Sequence, residues 1–239
     1  MGGTGKTTLL NYLREWWVKT SFCEKVFYFG YDAQPWTLDQ IIFELSSQIY
    51  GRFEAARVQA MDERARLGKL IKDLCSHNYV LMLDNFESVT GQELAIQNTL
   101  NETERNKLKS FLERLVGGKS KVILGSRSQE SWLQESTFRG YIYNLQGLDE
   151  ESRTELAEKI LDETLQQKES IDKVKVDPDF SRLMKVLAGY PLAMKVVLRN
   201  LRRQSPQEIL RSLDVADLQL DTGESDKTKS IIKCVEYSH

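Results

Sequence analysis

Cysteine is scarce in this chain of 239 residues, with Cys23, Cys75 and Cys234 its whole complement. They are odd in number, far apart and without a C-x-x-C pair or histidine-rich neighbours, which argues against a disulfide framework and a zinc site. They read instead as reduced thiols of a cytoplasmic protein. Charge of one sign is also lacking: 33 Lys and Arg stand against 35 Asp and Glu, and the balance stays near neutral on either side of Gly147. A protein that holds DNA, RNA or anionic lipid through a basic surface needs an excess that is absent here. No apolar run reaches the roughly 18 to 20 residues of a membrane span, and no signal-peptide pattern opens the chain, so neither a membrane nor secretion is expected.

What is present is an ordinary globular composition, 41% apolar and 28% charged, long enough for a nucleotide domain with a smaller companion. The most informative stretch is Met1-Gly-Gly-Thr-Gly-Lys-Thr-Thr-Leu-Leu10. Gly2, Gly3 and Gly5 leave the backbone free to take positive φ, so that successive N–H groups can turn around an anion. Lys6 supplies a mobile cation, the Thr7 hydroxyl occupies the place of a Mg²⁺ ligand, and a helix starting here aims its unpaired N–H groups at the same phosphates. A flexible glycine-rich terminus is the plain alternative. Against it, Leu9, Leu10, Leu13, Trp16 and Trp17 are read as one apolar helix face, as a phosphate loop requires downstream. The first glycine of the full pattern G-x-x-x-x-G-K-[ST] would fall just before Met1, and so would the strand that feeds the loop. That strand belongs in mid-sheet, so the strands at 80–83 and 122–124 are expected to face each other across a gap.

Strand and helix then alternate, the pattern of a parallel α/β sheet. A β-rich run at 25–31 precedes a helix capped by Thr37, another helix covers about 63–75, and Val80, Leu81, Met82 and Leu83 form a strand buried on both faces. Asp84 ends it at the edge where such sheets hold ligands, with Asn85 and Glu87 just beyond. Asp84 is the candidate Mg²⁺ ligand beside Thr7, and Glu87 the candidate to orient a water. A helix at about 103–116 leads to a strand at 121–125, followed directly by Ser126, Arg127 and Ser128. A guanidinium at that edge could bond a γ-phosphate bidentately. Residues 141–145 look like the last strand of the sheet, with Trp132 and Phe138 packing the segment before it.

After Gly147 only helices are expected: about 149–165, 179–187 ended by Gly189, one started by Pro191, and one whose first position is Pro206. Residues 214–227 read as a polar linker and 230–239 as the start of a further helix.

With these residues in view, the chain resembles the STAND class of P-loop ATPases, and within it the NB-ARC family of apoptosome ATPases, plant resistance proteins and microbial regulators. Gly2-Gly-Thr-Gly-Lys-Thr-Thr8 is similar to the family's phosphate loop, and Leu81-Met-Leu-Asp-Asn85 to its Walker B strand. Val122-Ile-Leu-Gly-Ser-Arg127 is similar to its sensor strand, and Leu187-Ala-Gly-Tyr-Pro-Leu-Ala193 to its G-L-P-L-A motif, with Tyr190 in place of leucine. The resemblance implies a P-loop NTPase three-layer α/β domain over 1–147 without its first strand, an all-helical subdomain over 148–213, and a linker with the truncated start of a winged-helix domain over 214–239. It implies Lys6, Asp84, Glu87 and Arg127 as catalytic residues, and Gly2, Gly3, Thr4, Gly5, Lys6, Thr7, Thr8, Arg127 and Pro191 as nucleotide contacts. Thr7 and Asp84 would hold Mg²⁺, and Pro191 would touch bound ADP from the helical subdomain.

The function implied is an ATP/ADP-binding signal-transduction ATPase that switches oligomeric state with its nucleotide. Its expected partners are the adenine nucleotide and, with ATP bound, further copies of itself. Two other classes share the nucleotide core. An ATP-driven nucleic-acid motor or loader of the AAA+ type would want a basic, aromatic-studded groove, and a small-molecule P-loop kinase leaves the Gly189-Tyr-Pro-Leu192 corner unexplained.

Overall fold

The structure, a computed structural model, describes residues 3–91, 98–133, 137, 141–165 and 167–215. Gly2, Phe138 and the expected linker and winged-helix start from residue 216 lie outside the described residues. The rest form two compact units, Thr7–Tyr143 and a helical unit from Asn144 onward, with which the residues up to Lys6 associate. Among the described residues, no helix is long and apolar enough to cross a membrane.

The first unit is α/β. Its strands β1 (Lys25–Gly30), β2 (Tyr79–Asp84) and β3 (Lys121–Leu124) lie in the order β1-β2-β3, all parallel. Every residue of β2 is buried, as the unbroken apolar run at its centre requires of a strand covered on both faces. Alternation sorts the side chains. Phe27, Phe29, Leu81 and Leu83 join the larger core, built with helices α2 (Leu38–Tyr50), α4 (Glu63–Ser76) and α5 (Glu102–Leu115). Val80 and Met82 face the other way, with Leu10, Leu13 and Trp17 of helix α1 (Lys6–Lys19). The sheet is therefore the middle of three layers, and each fully buried Leu or Phe in them contributes about 1.5 to 3 kcal/mol.

Local chemistry sets the boundaries. Thr37 caps α2 in a reciprocal capping box with Gln40, Asp62 caps α4 through Ala65 N–H, and Asn101 caps α5 through Glu104 N–H. A short helix α3 (Arg52–Gln59), beyond what periodicity suggested, follows Gly51, which stands at φ 77° between α2 and α3.

Three expectations fail here. β2 and β3 are not separated by a gap: Val80 pairs with Lys121 and Leu83 with Leu124 in one register, so the two strands satisfy each other's backbone groups directly. The face of α1 is narrower than read, because Leu10, Leu13 and Trp17 point to the sheet whereas Leu9 and Trp16 are 40% and 48% exposed. Residues 9 and 16 share a stripe of their own, about two turns apart and off the sheet-facing line. Finally, 141–145 forms no strand. Tyr141 and Tyr143 are 89% and 84% exposed, and β-forming residues without a partner strand gain nothing from an extended ladder.

A three-residue helix α6 (Ser131–Leu133) closes on the first unit's core, with Trp132 stacked on Phe86 at 5.9 Å. The helical unit comprises α7 (Glu150–Leu165), α8 (Lys168–Lys175), α9 (Pro178–Leu187), α10 (Pro191–Val197) and α11 (Pro206–Val215), with a 3₁₀ turn Leu198–Arg202. Its core centres on Leu161, Leu183, Met194, Val197, Leu198 and Ile209. α9, α10 and α11 each begin with proline, whose missing N–H is one the first turn cannot pair anyway.

Candidate functional site

Because all three strands run the same way, the residues that follow them collect along one edge of the sheet. Asp84, the last residue of β2, is buried there. Its Oδ2 accepts the Tyr28 hydroxyl at 3.0 Å, and its Oδ1 accepts the Asn85 N–H at 2.9 Å. Burial, then the Asp84 carboxylate, push the Tyr28 phenol above its ordinary range, so it remains a donor at neutral pH. Arg14 of α1 lies over that ring, 5.2 Å from its centre.

Gly125 is fixed by this carboxylate. A Cβ added there would come 2.3 Å from Asp84 Oδ1 and 2.9 Å from Leu10 Cδ1, so no side chain fits. The same contact puts Leu10, one turn beyond Thr7, beside Asp84. Thr7 and Thr8 are exposed in the first turn of α1. Gly125 also ties two loops together, donating to Leu83 O at 2.8 Å and accepting from Phe86 N–H at 2.9 Å.

Beyond Asp84, Asn85 takes a left-handed conformation at φ 53° and turns the chain into the 3₁₀ segment Phe86–Thr90. This turn buries Glu87. Glu87 Oε1 accepts Arg127 Nε at 3.0 Å while its Oε2 accepts the backbone N–H of Arg127 at 3.1 Å. The carboxylate is 4% exposed and the arginine side chain 43%. The sequence reading assigned Glu87 to a water; here both of its oxygens are engaged by Arg127.

A third carboxylate in this region, Glu130, went unnoticed in the sequence. Glu130 is buried and left-handed, φ 44°, and accepts hydrogen bonds from Ser126 Oγ at 2.6 Å, from Ser128 Oγ, and from Trp132 Nε1 at 2.9 Å. Ser126, Arg127 and Ser128 are thus gripped by two buried acids, from β2's end and from their own loop. The signal available beforehand was a Ser-Arg-Ser-Gln-Glu run at a strand end, with no hint of which side the glutamate faced. Among the described residues, no group of three or more His, Cys, Asp or Glu side chains is gathered for a metal.

The remaining candidates belong to the helical unit. Gly3 and Gly5 stand at φ 75° and 92°, Lys6 opens α1, and Thr4 is buried with no hydrogen-bond partner for its hydroxyl. These residues lie against the corner before α10. Leu192 N–H donates to Gly3 O at 3.3 Å, a Cβ on Gly3 would strike Leu192 Cβ at 2.9 Å, and one on Gly5 would touch Pro191 Cγ at 3.9 Å. The corner itself is built from Ala188 and Gly189 in successive left-handed conformations, φ 47° and 73°, with Tyr190 buried behind Pro191. Gly189 accepts Leu148 N–H at 2.8 Å, and a Cβ on it would lie 2.3 Å from Leu148 O.

No protein-family model matches the chain, and no curated protein matches it. Fold and site together define an α/β chain whose parallel sheet ends in a buried aspartate and a carboxylate-held arginine.

Proposed function

We propose that this chain is an ATP/ADP-binding signal-transduction ATPase module of the NB-ARC kind, a P-loop NTPase of the STAND class that changes its oligomeric state with its nucleotide in the cytoplasm. The observation that carries the reading is the pair at the sheet's carboxyl edge: buried Asp84 ending β2, and Arg127 just past β3. Those positions suit a metal-binding carboxylate and a γ-phosphate-reading cation in phosphoryl chemistry, which needs positioning and charge stabilisation above all.

The residues fit a phosphate-bearing ligand. Gly3 and Gly5 have the positive φ that lets backbone N–H groups converge on an anion, and the buried Thr4 hydroxyl has an unmet hydrogen bond. Lys6 and Thr7 open a helix, and a helix N-terminus carries the positive partial charge that suits an anion. A Mg²⁺ ion would be held by the Thr7 hydroxyl and the Asp84 carboxylate, and would neutralise phosphate charge. Each Asp84 oxygen accepts one hydrogen bond in the structure and keeps a further acceptor position. Pro191 and Leu192 sit against Gly5 and Gly3, which supports a role for the G-Y-P-L-A corner in sensing what the glycine loop holds. The oligomeric switch and slow hydrolysis rest on the order of the four motifs along the chain.

Calorimetric titration with MgADP and MgATP tests the reading. Wild type should bind both, and Lys6→Ala should lose about ten- to a hundredfold in affinity or more, the worth of a charge-assisted phosphate contact. Equal affinities in the two proteins would overturn the assignment.

A further inference from the structure

Resting on that reading of the site, we infer that Glu87 is a positioning residue for nucleotide discrimination: it holds the Arg127 guanidinium in the orientation from which a γ-phosphate is read, and does not itself activate water. The geometry is a two-point grip on a single residue. Oε1 fixes the side chain at Nε, 3.0 Å away, and Oε2 fixes the backbone N–H, 3.1 Å away, so neither the loop nor the side chain can rotate without breaking a bond to the same carboxylate.

Burial makes the grip durable. With Glu87 at 4% exposure, an Arg127 that swung away would leave a carboxylate almost out of water with its charge uncompensated, a cost that strongly favours the paired state. Arg127 remains 43% exposed, anchored at Nε yet reachable from solvent. The surroundings reinforce this. Glu130 pins Ser126 and Ser128 on either side of Arg127, and the bonds from Gly125 to Leu83 and from Phe86 to Gly125 lock the Arg127 loop to the turn that carries Glu87. A carboxylate committed in this way is poorly placed as a base, whereas it is well placed to remove the rotamer freedom that an unanchored arginine would lose on each binding event.

The test is titration of the full chain with MgADP and with a non-hydrolysable Mg-ATP analogue, read as the ratio of the two affinities. Arg127→Ala should lower the preference for triphosphate by about ten- to a hundredfold, and Glu87→Gln by about tenfold, each weakening the triphosphate more than ADP. The double variant should lose no more than Arg127→Ala alone, because Glu87 acts through Arg127. If Glu87→Gln does not fold, Glu87→Asp, which keeps the charge but withdraws it by one methylene, is read in the same way. A wild-type ratio in the foldable Glu87 variant alongside a lowered ratio in Arg127→Ala overturns the inference and leaves the nucleotide reading standing. Additive losses in the double variant also overturn it, since Glu87 would then act on the nucleotide directly. A wild-type chain that binds neither nucleotide overturns the underlying reading and the inference with it.

Discussion

The two units differ in what they bury. Among the described residues, the buried charged side chains are Asp84, Glu87 and Glu130, all in the sheet unit, while the core of the helical unit is built from Leu, Ile, Val, Met, Ala, Phe and Tyr. The cause is architectural. Parallel strands end together, so the polar residues that terminate them are brought to one edge and partly covered by the following loops. There each acid finds donors: Tyr28 and Asn85 for Asp84, Arg127 for Glu87, and Ser126, Ser128 and Trp132 for Glu130. A helical bundle has no such edge, and its turns face water. Buried charge therefore distinguishes the sheet unit, whose strand ends gather acids with their donors, from the helical unit, whose core is apolar.

The comparison can be broken by moving charge into the dry core. Leu183→Glu puts an unpaired carboxylate where the side chain is fully buried, and should cost about 4 kcal/mol or more, enough to abolish cooperative melting of the helical unit by circular dichroism. A two-state melt close to wild type would show that this core tolerates charge as the sheet edge does.

Crowding sharpens the comparison within the sheet unit. Gly125→Ala drives a methyl into Asp84 Oδ1 and Leu10, and should lower stability by about 3 kcal/mol in denaturant titration. Gly117→Ala, at φ 81° with nothing near its Cβ, carries only the left-handed penalty of about 1 kcal/mol. Gly125 has no positive φ of its own, so equal losses would mean that Asp84 and Leu10 yield to the added methyl and do not hold Gly125 as a glycine.

A smaller loss than that of Gly125→Ala separates support from contact. Glu130→Ala leaves Ser126 Oγ, Ser128 Oγ and Trp132 Nε1 without their shared acceptor and should cost about 2 kcal/mol. Since Glu130 bonds the serines beside Arg127 and not the guanidinium, ADP affinity should stay at its wild-type value. A fall in ADP affinity equal to that of Lys6→Ala would place Glu130 among the ligand contacts.

How much of this was legible beforehand follows from the range of each interaction. Strand β2 was readable because a run of apolar residues closed by Asp84 states its own environment, and the helix starts because Thr37, Pro191 and Pro206 act on the turn they begin. The α1 face was misread because Leu9, Leu10, Leu13, Trp16 and Trp17 span more of the helix than one line of contact, and only tertiary packing chooses between the stripes. The stretch at 141–145 was misread because β-propensity describes fitness for a partner strand without supplying one. Arg127 and Glu87 were both singled out from their places after strands, but their bond, forty residues apart in the chain, was not visible. Glu130 escaped notice because its acceptor role depends on a left-handed turn that sequence gives no reason to expect of glutamate.

The bond from Leu148 N–H to Gly189 O also has a mechanical meaning. Gly147 approaches Ala188 so closely that an added Cβ would lie 2.1 Å from its carbonyl oxygen, and Gly189 approaches Leu148 just as closely from the other side. The segment that enters the helical unit is thus stapled to the corner between α9 and α10 before it reaches α7. A tug on that segment is delivered first to the corner, as shear across two interlocked glycines, and α7 carries load only after the staple has given way.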